Sequence, residues 1–121
     1  MAVTTTPLSN PVAAALVTDT DSDGTSESDV RSGASTVYMI DIDNSLNAAA
    51  SYSKFYNNVG PTIGTTAPDL ILPSPASTRI VYAIPQGFAF ATALSFASVT
   101  TAGTAGTTNP TSNITIRIVC S

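Results

Sequence analysis

The chain has 121 residues and a formal net charge of −4, with 10% charged and 43% hydrophobic residues, one cysteine and neither histidine nor tryptophan. That length builds a single core with at most an appended segment. Without histidine, most hydrolase chemistry and any His-ligated metal are excluded. A lone cysteine rules out an internal disulfide, and the sparse negative charge offers no counterion-releasing surface for nucleic acid.

Threonine (19), serine (15) and alanine (17) dominate the chain while Lys and Arg together number 4. β-Branched residues pack well on a pleated surface, and Ser and Thr divert hydrogen bonds from helical ladders, so the composition favours strands and turns. So few charges also make a poor surface for a lone monomer, and partners are expected to cover part of it.

Residues 1–35 differ from the rest. They carry Pro7, Pro11, a Ser/Thr/Asp/Gly-rich stretch from Thr18 to Ser35, and Asp19, Asp21, Asp23, Glu27 and Asp29 within eleven positions. This mixture is too polar to form a core alone and predicts an extended N-terminal arm. The apolar run Val12–Val17 lacks a basic flank and is too short to span a bilayer, so neither an export leader nor a membrane segment is expected, and synthesis is expected in a cytosol.

From Thr36 the pattern alternates with period two, predicting a β domain over 36–121. In Thr36–Ile42, Tyr38, Ile40 and Ile42 oppose Val37, Met39 and Asp41. Asp43-Asn44-Ser45 is turn chemistry, Ala48–Ala50 is too short for a helix, and Tyr52–Tyr56 alternates again. Leu70–Leu72 forms a short strand ended by Pro73 and Pro75. Thr78–Ile84 alternates Ile80, Tyr82 and Ile84 with Arg79, Val81 and Ala83, after which Pro85-Gln86-Gly87 is expected to turn the chain. Further strands are expected over Ala93–Val99 and Asn113–Cys120, joined by Thr100–Thr111 as an exposed hairpin loop. Short strands with turn signals and no crossover helix predict an all-β fold, an antiparallel β-sandwich or jelly roll.

Few constellations could carry chemistry. Asp19-Thr20-Asp21-Ser22-Asp23-Gly24 matches the first half of a calcium loop, but Val30 stands where the bidentate carboxylate belongs. This leaves Asp19, Asp21 and Asp23 as weak calcium candidates, with Glu27 or Asp29 as helpers, against a solvated acidic linker. Asp41 and Asp43 share a strand face, yet no aromatic sugar platform lies beside them in sequence and Asp43 suits a turn cap. Gly103-Thr104-Ala105-Gly106 lacks the lysine and helix of a phosphate loop. Cys120 has only Arg117 nearby to lower its pKa and reads as an inert strand residue. No nucleophile, base and orienting group assemble from these side chains, so no catalytic residue, cofactor or enzymatic activity is expected.

One run of wording resembles a known group: Tyr38-Met39-Ile40-Asp41-Ile42-Asp43-Asn44, Lys54-Phe55-Tyr56-Asn57, Val59-Gly60-Pro61-Thr62-Ile63-Gly64-Thr65-Thr66-Ala67-Pro68, Leu70-Ile71-Leu72-Pro73, Phe88–Phe96 and Thr104–Thr108. In these the chain resembles small virion structural proteins of tailed bacteriophages, cyanophages included. The resemblance implies a non-enzymatic protein made in the host bacterial cytoplasm and located in the virion. Its first expected role is a capsid decoration or cement protein, a trimer or dimer that bridges the major capsid protein or other virion proteins. The alternatives are a neck, baseplate or tail-fibre component, or a carbohydrate- or calcium-binding host-attachment module. Arm contacts are expected from Pro7, Leu8, Pro11, Val12, Leu16 and Val17, and inter-subunit or core packing from Tyr52, Phe55 and Tyr82. Nucleic acid and membrane are not expected partners.

Overall fold

The computed structural model describes residues 2–7 and 14–121. Its strands are β1 (Val3–Pro7), β2 (Ala15–Ser22), β3 (Ser35–Asp43), β4 (Ser51–Tyr56), β5 (Leu70–Ser74), β6 (Arg79–Phe90), β7 (Ser95–Val99) and β8 (Ile114–Cys120). They form two antiparallel sheets, a five-stranded one in the order β1-β2-β8-β3-β6 and a three-stranded one in the order β5-β4-β7. The two pack as an all-β sandwich, and no helix among the described residues is long and apolar enough to cross a membrane.

Alternation builds the core. Ile114, Ile116, Ile118 and Cys120 of β8 turn inward, with Thr115, Arg117 and Val119 outward. From the large sheet they join Val17, Val37, Ile40, Ile42 and Phe90, and from the small sheet Phe55 and Phe96, whose rings lie 6.0 Å apart. Leu94 completes the cluster beside β7. Burying each such side chain is worth about 1.5–3 kcal/mol before the entropy of ordering it is counted.

The structure corrects the sequence reading in four places. Residues 15–22 are not part of an extended arm: β2 pairs with β8 from Ala15↔Cys120 to Ser22↔Ile114, and Ala15, Val17, Asp19 and Ser22 are buried. The reason is register. Ala15 and Val17 supply the inward positions that cover the free side of β8, so the segment adds to a core that it could not build alone. What projects beyond is β1, which pairs with β2 at the sheet edge and exposes Thr4–Pro7.

Second, a register shift between Val37 and Met39 puts Val37 in the core with Ile40 and Ile42 and leaves Tyr38 half-buried, so the expected grouping of Tyr38 with the isoleucines fails at one residue. A bulge reverses parity on one side of itself. Third, Pro85-Gln86-Gly87 does not end a strand. It is the bulged middle of β6, between the pairs Met39↔Ala83 and Val37↔Phe88. Gly87 has φ of 80°, and a Cβ there would lie 2.3 Å from Thr36 Cγ2. Only glycine fits both demands.

Fourth, Thr100–Thr111 is exposed along most of its length as expected, but it joins strands of opposite sheets and is not a hairpin. It is also fastened down: Lys54 Nζ donates to the carbonyls of Gly103 (2.5 Å) and Gly106 (2.9 Å). Lys54 is wholly buried, and that burial lowers its pKa.

The connection from β2 to β3 runs along the free edge of β7. Glu27 and Phe96 exchange both backbone hydrogen bonds, at 2.8 and 2.9 Å, Val30 N donates to Leu94 O and Ser98 N donates to Asp23 O. Residues 23–30 therefore occupy the place of a fourth strand in the small sheet, and one wall of the sandwich consists of the acidic stretch itself.

Candidate functional site

Two sets of residues stand out once the chain is folded, an acidic cluster between the sheet edges and an apolar row on the outer face of the large sheet. The cluster follows from the strand parity of β2. Ala15, Val17 and Asp19 alternate inward, so the third inward position is a carboxylate, and Asp19 is completely buried. Opposite it, the backbone pairing of Glu27 with Phe96 presents the Glu27 side chain at the adjoining edge, where it is 8% exposed. Asp21 is half-buried beside them. One carboxylate oxygen from each of Asp19, Asp21 and Glu27 lies within 4.8 Å of the other two.

The electrostatics are unfavourable as they stand. Burial pushes the Asp19 carboxyl up to about 7, with the charges of Glu27 and Asp21 adding smaller raising effects, and Glu27 is raised first by burial and then by Asp21. Asp21 is lowered, chiefly because its Oδ1 accepts the Ala2 N–H at 3.0 Å. Asp19 Oδ1 accepts the Asp21 N–H at 3.0 Å, while Asp19 Oδ2 and Glu27 Oε1 are buried with no hydrogen-bond partner. The basic side chains are engaged elsewhere: Arg31 with Ser121 O, Lys54 with two carbonyls and Arg79 with Asp41, while Arg117 is registered between Thr18 and Asp41 on the far side of the sheet.

Of the weak calcium candidates, the fold brings Asp19 and Asp21 together and adds Glu27 in place of Asp23. Asp23 turns away: its Oδ1 accepts the Thr25 N–H at 2.8 Å. Asp29 caps a turn by accepting the Gly33 N–H at 2.9 Å. Loop spacing pointed at Asp23, whereas the shift in register between Asp19 and Ser22 decides which carboxylates converge. Asp41 and Asp43 have structural partners as well. Arg79 forks onto both oxygens of Asp41 at 2.9 and 2.5 Å, and Asp43 Oδ1 accepts the Ser45 N–H, whose hydroxyl and amide hold the Asp43 carboxyl below its ordinary range.

No family model, curated protein or solved structure matches the chain. Geometry therefore carries the assignment of the remaining residues.

The outer face of the large sheet takes the positions that point away from the core. Register places Leu16 beside Val119, Val119 beside Met39 and Met39 beside Ala83. The neighbouring row is Thr18, Arg117, Asp41 and Val81, and Val81 is 53% exposed. An apolar stripe thus crosses four strands next to a row that carries Arg117 and Asp41, the latter paired with Arg79. The strand alternation already placed Met39, Val81, Ala83 and Val119 opposite the core. Their alignment into one row required the register.

The expected partner contacts divide. Phe55 and Val17 are 0% exposed core residues: Phe55 takes the core role of the two expected of it and not the inter-subunit one, while Val17 cannot make the arm contact expected of it, which corrects that assignment. Phe55 faces inward on β4 and Val17 inward on β2, where contact with Phe96 and the β8 isoleucines is worth more than exposure. Leu16 is half-buried on the outer face, and Pro7 is exposed at the end of β1. Tyr52 is half-buried on β4, between Pro73 and Val99 in register, and Tyr82 packs against the core while its hydroxyl donates to the Pro73 carbonyl. Leu8, Pro11 and Val12 lie outside the described residues.

Proposed function

We propose that the chain is a non-enzymatic structural protein of a phage virion, a capsid decoration or cement protein that binds the outer shell as a trimer or dimer and bridges capsid subunits. The observation that carries this reading is the stripe of Leu16, Val119 and Met39, each half-buried, and exposed Ala83, with Val81 beside it 53% exposed. Contiguous apolar faces on a sparsely charged protein mark association surfaces. A protein–protein contact gains most from such a desolvated centre.

Strand order supports a finer reading of the fold as a jelly roll, an architecture shared by viral capsid and lectin domains. The order β2-β8-β3-β6 faces residues 23–30, β7, β4 and β5, with β1 as an added edge strand. In this reading the N-terminal arm is confined to the residues before β2, and the exposed edge of β1 offers unpaired backbone groups to a neighbour. The sequence resemblance to small virion proteins adds to it.

The test is reconstitution: purified protein is added to capsids stripped of their outer proteins, and bound copies per particle are counted by quantitative mass spectrometry. The reading expects a count that scales with the shell subunits, and loss of binding in Val81→Asp and Val119→Asp variants that keep their thermal stability. A count limited to a single vertex or tail structure would move the protein to the neck, baseplate or tail fibre. Unchanged binding by both variants would remove the stripe as the contact surface.

A further inference from the structure

We propose that Asp19, Asp21 and Glu27 hold a hard divalent cation, calcium ahead of magnesium, that staples the β2 side of the large sheet to the edge of the small one. Two independent observations meet at this point. The ligand oxygens of the three side chains all lie within 4.8 Å of one another, the span across a calcium shell with bonds of roughly 2.4 Å, so that a small side-chain adjustment at half-buried Asp21 lets one ion touch all three. Magnesium demands a strict octahedral array and sheds its waters reluctantly, whereas calcium accepts an irregular shell of carboxylates and waters. Separately, Asp19 Oδ2 and Glu27 Oε1 are buried without any partner, on side chains that are 0% and 8% exposed.

Buried carboxylate oxygens are costly to leave unpaired, and two of them on adjacent anions are costlier still. Two occupants relieve that cost, a proton shared by the pair or a cation. All-oxygen anionic donors suit a hard cation and leave soft metals without a preferred ligand. Asp21, half-buried, gives the ion a route in and leaves room for the waters that complete its shell. Mechanically, Asp19 sits on β2, Glu27 is bonded through its backbone to β7, and Asp21 Oδ1 accepts the Ala2 N–H, so a bound ion would also secure the start of the first strand. This reading stands apart from the proposed virion role: it concerns how the sandwich is closed, whatever it attaches to.

The full-length protein, stripped with EDTA, is titrated with calcium chloride and separately with magnesium chloride in mildly alkaline buffer, by calorimetry and by thermal unfolding. The expected result is saturable calcium binding with Kd on the order of 10⁻⁵–10⁻³ M, and a rise in Tm of about 5 °C at a tenfold excess over Kd. Magnesium should bind more weakly. Asp19→Asn and Glu27→Gln should each weaken binding at least tenfold, whereas Asp23→Asn should leave it unchanged. Asp19→Asn removes a buried charge, so in EDTA it should melt no lower than the wild type. Absence of saturable heat with either cation would overturn the site and favour the shared proton. Equal binding by the Asn and Gln variants would overturn the residue assignment. Should either variant fail to fold, the wild-type calorimetry alone decides.

Discussion

Replacing Val17 by alanine tests whether the segment before residue 22 is a built-in strand or a detachable arm. Val17 is 0% exposed, pairs with Ile118 of β8 and Thr5 of β1, and belongs to the main core cluster. The substitution removes roughly two methyl equivalents, worth about 1.6 kcal/mol of transfer free energy at about 0.8 kcal/mol each. A residual cavity of about 35–40 Å³ adds roughly 0.9 kcal/mol at about 24 cal/mol per Å³. The expected loss is therefore about 2.5 kcal/mol, which at an unfolding entropy near 2.1 cal/mol/K per residue lowers Tm by about 10 °C for this chain. Urea unfolding followed by tyrosine fluorescence and by far-UV circular dichroism measures it, with Val81→Ala on the exposed face as the control expected to cost under about 0.5 kcal/mol. If Val17→Ala costs no more than that control, β2 does not belong to the folded body and the register with β8 is wrong.

Other expectations follow from named contacts. Asn44→Ala should cost about 3 kcal/mol, because Asn44 Nδ2 donates to the carbonyls of Ala49 and Pro75 at 3.0 Å and its Oδ1 accepts from Asn47 and Ser51, so one truncation leaves several buried groups unpaired; chemical denaturation checks it. Gly87→Ala should cost about 1–3 kcal/mol through its positive φ and its collision with Thr36, and should broaden the amide signals of β3 beside the bulge. The Cys120 thiol, 0% exposed and raised in pKa by burial, should resist a thiol reagent at mildly alkaline pH in the native protein and react at the free-cysteine rate in denaturant. The sign of that shift means Cys120 stabilises the fold fully below its ordinary pKa and loses that contribution as pH climbs through the raised value.

Most strands from β3 onward were legible because isoleucine and phenylalanine recur at their inward positions and make the period visible. β2 was not, since its inward positions read Ala15, Val17, Asp19, and a carboxylate at the third erases the pattern in a region already rich in acid. Burial of Asp19 is a tertiary fact: it depends on residues 23–30 folding against β7, which backbone hydrogen bonds achieve without any alternation of side chains. Likewise Ser51 and Ser53 face inward on β4 beside Phe55, so two of its three inward positions looked like loop sequence. Asp23 was an attractive ligand by spacing and Glu27 only a helper. The bulge in β2 reversed their importance.

These hydroxyls and carboxylates occupy one side of the interior together. Ser22 on β2 hydrogen-bonds Ser98 on β7 at 2.8 Å, and Ser98 reaches Ser53 on β4 at 3.1 Å, so three serines bridge the sheets through the gap next to the acidic cluster. Small side chains let the sheets approach closely there, and each hydroxyl has a partner, which keeps the net cost of burying them low. The carboxylates have no such reciprocity: an anion can only accept, and Asp19 Oδ2 and Glu27 Oε1 are buried with no hydrogen-bond partner. A donor or a cation must therefore enter for that side of the sandwich to be as well satisfied as the serine bridge beside it. The closing strength of β2 against the small sheet then depends on what solution supplies, while the isoleucine core around β8 is independent of it.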